Sequence, residues 1–149
     1  MIKLICLGSI KESYLKDAIE EYKKRLSKYT KLEIIELKDE KDTSNPLKKE
    51  KDSILKHIND KDNLIILDIK GKQLTSEEFA SFINNELTTQ SNITFVIGSS
   101  NGLDEEIKKL TNKKISFSLL TFPHQLFRVI LLEQIYRSFK ILNNETYHK

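Results

Sequence analysis

The side chains able to do acid–base or anion chemistry gather in a few places. His124 follows Pro123, and Arg128 lies four positions on, so on a helix an imidazole and a guanidinium share one face. A histidine there can serve as a base or simply cap the helix. Glu133 and Arg137 are again four apart, inside an apolar segment, where an ion pair reads most simply as a structural lock between subunits. The chain ends Tyr147-His148-Lys149, a stacking ring, an imidazole and a cation in three residues that either fray or act together. Two loops add backbone chemistry. Gly98-Ser99-Ser100-Asn101-Gly102 leads from an apolar run into a helix, and such a loop can accept a carboxylate, ribose or phosphate or be no more than a tight turn. Asp68-Ile69-Lys70-Gly71-Lys72 places two lysines around a glycine, which reads as a solvated loop.

These residues need a scaffold, and the apolar pattern supplies one. Ile2–Leu7, Leu32–Leu37, Leu64–Ile69, Ile93–Ile97 and Ile115–Leu119 read as strands. Helical segments separate them. Leu15, Ala18, Ile19, Tyr22 and Leu26 recur at helical spacing, with Ser9 and Glu12 in the form of a capping box. Pro46 suits the first position of a second helix with Asn45 as its cap. Thr75 and Glu78 form a capping box ahead of Phe79, Phe82, Ile83 and Leu87. A short helix opens with Asp104, Glu105 and Glu106 and closes with Lys108 and Lys109, in accord with the helix dipole. The last helix runs from His124 to Leu142. Alternation of strand and helix, with runs such as Leu64-Ile65-Ile66-Leu67 apolar on both faces, predicts an α/β three-layer sandwich with a mainly parallel five-stranded sheet. In such sheets ligands bind beyond the C-terminal ends of the strands, which nominates the loops after Leu67, Ile97 and Leu119. The polar stretch from Lys38 to Asp52 reads as a surface loop running into the second helix. The last helix has almost no polar face, and a helix apolar all round is buried all round; a homodimer through it is the expectation.

Composition narrows the function. With 149 residues, 38% of them hydrophobic, the chain is expected to fold as one domain, 1–149, and is too apolar for disorder. No apolar run reaches the roughly 20 residues of a membrane span, and Ile2–Leu7 is short and carries Lys3, so neither a membrane protein nor a signal peptide is expected and the cytoplasm is the expected compartment. The lone Cys6 and three scattered histidines point to neither a disulfide framework nor a metal site. The 25 basic and 22 acidic residues are mixed throughout, for a net charge of +3, so any RNA must be recognised locally rather than by bulk phosphate neutralisation. The glycine loop lacks both the GxGxxG spacing and the lysine of a P-loop, which argues against a doubly wound nucleotide-binding enzyme.

The stretches FVIGSSNGL, SFSLLTFPHQLFRVILLEQIYRSFKI and the terminal TYHK, with LICLGSIKESYLKDAIEEYKKRL and DIKGKQLTSEEFA, resemble the RlmH family, small SPOUT-class methyltransferases of 23S ribosomal RNA. The likeness covers nearly the whole chain. It implies a SPOUT-type C-terminal trefoil knot, which pattern reasoning alone would exclude, and a homodimer. It implies methyl transfer from S-adenosyl-L-methionine to N3 of pseudouridine-1915 in helix 69, on the assembled ribosome. Cofactor contacts then fall on Leu67, Gly98, Phe117, Ser118, Leu119, Leu120, Thr121 and Phe122, the strand ends that topology nominates. Family members commonly carry two glycines in the fourth-strand loop, where this chain has Ser99, and the loop around Asp42 to Lys51 is shorter than usual.

Within that resemblance, His124 or His148 is expected to take the N3 proton, Arg128 or Arg137 to stabilise the negative charge, Tyr147 to stack on the flipped base and Lys149 to meet a phosphate. Tail and cofactor can come from different subunits. The alternative is an inactive RNA- or ribosome-binding relative with Ser99 as its lesion.

Overall fold

A computed structural model describes residues 1–41 and 43–149, so Asp42 and its part of the polar loop lie outside the described residues. The chain runs β1 (Ile2–Leu7), α1 (Ser13–Leu26), β2 (Leu32–Leu37), α2 (Pro46–Leu55), β3 (Asn63–Gln73), α3 (Ser76–Thr89), β4 (Ile93–Ile97), α4 (Glu105–Lys108), β5 (Lys114–Ser116) and α5 (His124–Leu142). The strands form one sheet in the order β2-β1-β4-β3-β5, every pair parallel. Strand alternation sorts the side chains into two cores. Ile2, Leu4, Cys6, Ile65, Ile93, Phe95 and Ile97 meet Leu15 and Ile19 of α1, Phe79 and Ile83 of α3 and Leu131, Leu132 and Ile135 of α5. Ile5, Leu7, Leu64, Ile66 and Val96 meet Ile54 of α2 and Ile107 of α4. Helices therefore cover both faces, in the three-layer sandwich the pattern predicts. Cys6 is fully buried, which pushes its thiol up to about 12 and leaves it unreactive.

Helix starts follow the sequence at some places and depart at others. Thr75 and Glu78 form the reciprocal box: the Glu78 amide donates to Thr75 Oγ1 at 3.1 Å and the Thr75 amide to Glu78 Oε2 at 2.7 Å. The Ser9–Glu12 box does not form. Glu12 is itself the N-cap residue, with no side-chain cap, and the amide of Ile10 is taken by Glu36 Oε2 at 2.9 Å. Asn45 precedes Pro46 as expected but caps nothing, its backbone being left-handed at φ 65°.

Two strand ends depart from expectation, and both shape the site. β3 continues past Ile69 to Gln73: Leu67 pairs with Ile115, the chain bulges, and Lys72 pairs with Ile115 again. Gly71 makes this return possible, since a Cβ there would lie 2.6 Å from the Ile115 backbone nitrogen. β5 stops at Ser116 rather than Leu119, because Phe117 onward turns away from the sheet. The last helix is also less exposed within one chain than its composition predicts. It packs between α1 and α3, and Leu126, 37% exposed, is its one exposed large hydrophobic residue. Val129, Ile130, Ile141 and Leu142 stay only partly buried in the single chain.

Candidate active site

The C-terminal ends of β4 and β5 and the bulge of β3 after Leu67 frame a cleft of about 530 Å³. Leu67 and Ile97 form its floor, the loop Gly98–Gly102 one side, and the turn from Phe117 to Pro123 the other, with His124 and Phe127 of α5 at its end. Seven of the eight expected cofactor residues line it, namely Leu67, Gly98, Phe117, Ser118, Leu120, Thr121 and Phe122. Leu119 does not; it stands 78% exposed beside Leu120, which is 73% exposed.

Local chemistry fixes the walls. The Phe117–Phe122 turn is held by Ser118, whose carbonyl accepts from Ser116 Oγ at 3.0 Å and whose hydroxyl accepts from the Leu120 amide at 2.9 Å. Phe117 and Phe122 both pack on Phe127 of α5, edge-on and stacked respectively. In the opposite wall the Gly102 amide donates to the Ser99 carbonyl at 2.9 Å, and Gly102 takes φ +79°. A Cβ on Gly98 would sit 2.7 Å from the Gly102 carbonyl oxygen, so glycine is required there by close approach. Ser99 is not among the positive-φ residues, and its side chain turns away to Glu50, so the departure from paired glycines leaves the backbone of the cleft unstrained. A mostly apolar cleft with a glycine cradle, fringed by polar groups from Asp68, Ser100, Lys108, Ser118 and Thr121, fits a nucleoside-bearing cofactor.

The candidate catalytic residues separate into three groups. His124 alone lines the cleft. Partial burial, and next to it the Arg128 charge, lower its pKa below the ordinary histidine value, so it is neutral and able to accept a proton at pH 7. Its Nε2 lies against Gly8, whose φ is +88°. Arg128 is turned the other way. It is 1% exposed, donates to Glu36 Oε2 at 2.7 Å and to the carbonyls of Leu7 and Gly8 at 2.9 and 2.6 Å, and so ties α5 to the ends of β1 and β2. The expected shared face of His124 and Arg128 holds along the helix, but the guanidinium is consumed by the scaffold and does not line the cleft.

Arg137 and the tail form the third group, outside the cleft. Glu133 accepts from Arg137 at 2.8 and 3.2 Å and from the Tyr147 hydroxyl at 2.8 Å, so this pair locks the tail to its own α5. Burial and the Glu133 contact push the Tyr147 phenol up to about 12. Arg137 also lies 4.7 Å above the Tyr147 ring. His148 Nδ1 is 3.1 Å from Arg137 and its Nε2 2.7 Å from Glu77. Because a guanidinium can only donate, Nδ1 is the acceptor and the proton sits on Nε2. Lys149 is exposed. Two acidic neighbours of the cleft walls, the buried Glu50 and the half-buried Asp39, escape sequence reasoning. Glu50 lies four residues before Ile54 and so on the inward face of α2, a spacing that could have found it; Asp39, beside Gly8, carries no such signal.

A parallel α/β sheet with such a cleft at its strand ends defines an α/β protein built to take a ligand there. The chain belongs to the SPOUT methyltransferase family: the family model described as "Predicted SPOUT methyltransferase" matches residues 1–148. It is 53% identical to ribosomal RNA large subunit methyltransferase H of Caldicellulosiruptor saccharolyticus over the whole of both chains. It is 55% identical to the protein of that name from Clostridium botulinum strain Langeland, over 99% of each. In fold it resembles a solved probable methylase family protein from Haemophilus influenzae Rd KW20, with a TM-score of 0.58, 14% identity, and coverage of 99% of this chain and 70% of that one. Among the described residues no helix is long and apolar enough to cross a membrane, and no group of three or more His, Cys, Asp or Glu side chains could hold a metal ion.

Proposed function

We propose that this chain methylates N3 of pseudouridine-1915 in helix 69 of 23S ribosomal RNA, on the assembled ribosome, with S-adenosyl-L-methionine as donor. The name shared by the relatives supports the ribosomal substrate. The observation that carries the chemistry is the meeting of the glycine cradle, the Phe117–Phe122 turn and His124 in one cleft. The donor supplies a methyl carbon on a sulfonium, whose thioether leaves uncharged. The protein's work is alignment and deprotonation. Gly98 admits the donor close to the backbone, the phenylalanine turn excludes water, and His124 takes the N3 proton as the N–C bond forms and the C–S bond breaks.

Arg137 is the candidate for the charge that develops on the flanking carbonyl oxygens, because Arg128 is 1% exposed, does not line the cleft, and gives three of its five N–H donors to Glu36, Leu7 and Gly8. Tyr147 stacks on the base and Lys149 meets a phosphate. Leu119 and Leu120, exposed at the rim, are the surface a second subunit covers in the homodimer, and the tail then serves the partner's cleft. A SPOUT-type trefoil knot in the C-terminal part of the chain belongs to this reading. The cytoplasm, where ribosomes are assembled, is the compartment this reading requires. Labelled-methyl transfer to ribosomes lacking the modification, with the modified nucleotide mapped, tests the proposal. Label at that one nucleotide is expected; no incorporation, or label elsewhere, overturns it.

A further inference from the structure

Glu50 is the most deeply buried carboxyl group of the described residues, 1% exposed, and it is not fixed by a cation. Its one hydrogen-bond partner among those residues is the Ser99 hydroxyl, 2.9 Å from one carboxyl oxygen and 3.2 Å from the other. Ser99 is itself 8% exposed, and its Oγ in turn accepts from the amide of Asn101 at 3.1 Å. One hydroxyl thus donates to α2 and receives from the loop it belongs to. A carboxyl group buried with a single donor is costly to the fold, and its presence calls for a compensating use. The next residue of the same helix, Lys51, reaches Glu106 of α4 at 2.9 Å, so α2 grips the segment both at the loop and just after it.

We propose that Glu50 and Ser99 form a buried latch that sets the Gly98–Gly102 loop in its cofactor-accepting shape, both acting as positioning residues for the donor. This rests on the reading of the cleft as the S-adenosyl-L-methionine site. The latch acts on the wall it touches. With the Ser99 hydroxyl held by Glu50, the Asn101 amide turns inward, the Gly102 amide closes on the Ser99 carbonyl, and the Gly98 backbone stays open to the cleft. Without it, the loop keeps its Gly102 closure but loses the tie to α2.

The test is calorimetric titration of S-adenosylhomocysteine, together with amide exchange at Asn101 in the free protein, on Ser99→Ala, Ser99→Thr, Glu50→Ala, Glu50→Gln and the Glu50→Ala/Ser99→Ala double variant. Each alanine variant should bind about two- to tenfold more weakly, the worth of one hydrogen bond. The loss should fall on KM for the donor rather than on kcat, and the double variant should be no worse than the weaker single one. Ser99→Thr and Glu50→Gln, which keep a donor and an acceptor, should recover most of the affinity, and Asn101 should exchange faster in Ser99→Ala. Wild-type affinity and exchange in a folded Ser99→Ala protein, or additive losses in the double variant, would overturn the latch. Should Glu50→Ala not fold, Ser99→Ala against Ser99→Thr still decides. A wild-type protein that bound no S-adenosylhomocysteine would refute the cofactor reading, while Asn101 exchange would still report on the latch.

Discussion

The cleft and the tail carry the same kinds of side chain but hold them in opposite ways. In the cleft, His124 is half-buried, neutral and free of a side-chain hydrogen bond among the described residues, at the end of a helix fixed by Arg128. In the tail, His148 is spanned by Arg137 and Glu77, and Tyr147 is bound to Glu133. One region is prepared for a proton and the other is already satisfied. The difference teaches that the tail must exchange partners to work, whereas the cleft must only be filled.

Deleting Tyr147–Lys149 should break this contrast most completely. A stacked base and a charge-assisted contact are together worth about 10³-fold in methyl transfer. Donor binding should stay near the wild-type level, because no tail residue lines the cleft. Full activity in the truncated protein would remove the tail from the mechanism.

His124→Ala should follow with about a 10²-fold loss in single-turnover rate. Its pH behaviour sharpens the case. Burial and Arg128 lower the His124 pKa, so the imidazole is unprotonated across neutral pH and gains its proton only on the acid side of the ordinary histidine value. The wild-type rate should therefore be level on this limb from pH 7 upward and fall as pH drops through that lowered pKa. The alanine variant should lack the acid limb; a limb that survives it belongs to another group. Gly98→Ala comes next, with donor binding weaker by about tenfold, since the added Cβ meets a backbone oxygen that cannot swing aside. Normal calorimetric affinity in that variant would show that the wall yields.

The same contrast marks what could be read from the sequence. The place of the cleft was legible because strand ends in a parallel sheet converge, which nominates the loops after Leu67, Ile97 and Leu119; the particular residues Leu67, Gly98 and Phe117–Phe122 came from the family resemblance. The strand limits were less so. Phe117–Leu119 is apolar enough to read as strand, yet Phe117 and Ser118 face the cleft and Leu119 faces solvent instead of a sheet partner. The extension of β3 depends on Gly71 fitting against Ile115, a contact between segments more than 40 residues apart that no local pattern encodes. Arg128 shows a related limit: helical spacing gives the face it shares with His124, but not that the carbonyls of Leu7 and Gly8 lie at the end of β1 to take its donors. The tail, read as either frayed or functional, has its partner Glu77 some 70 residues away.

The smallest expected effect separates the two regions most finely. Glu77→Gln removes the charge opposite His148, takes one acidic group from the first turn of α3, and leaves the cleft untouched. The pair is exposed on the Glu77 side, 62% of that side chain, so solvent screens the contact and protein stability should barely move. Activity should still respond. If the tail has to leave Glu77 and Arg137 before it reaches RNA, a weaker hold raises the working population, and kcat/KM on ribosomes should rise by about twofold. If the docked arrangement is itself the working one, the same substitution lowers kcat/KM. The sign of so small a change therefore decides whether the tail's contacts on its own subunit are a resting position or part of the site.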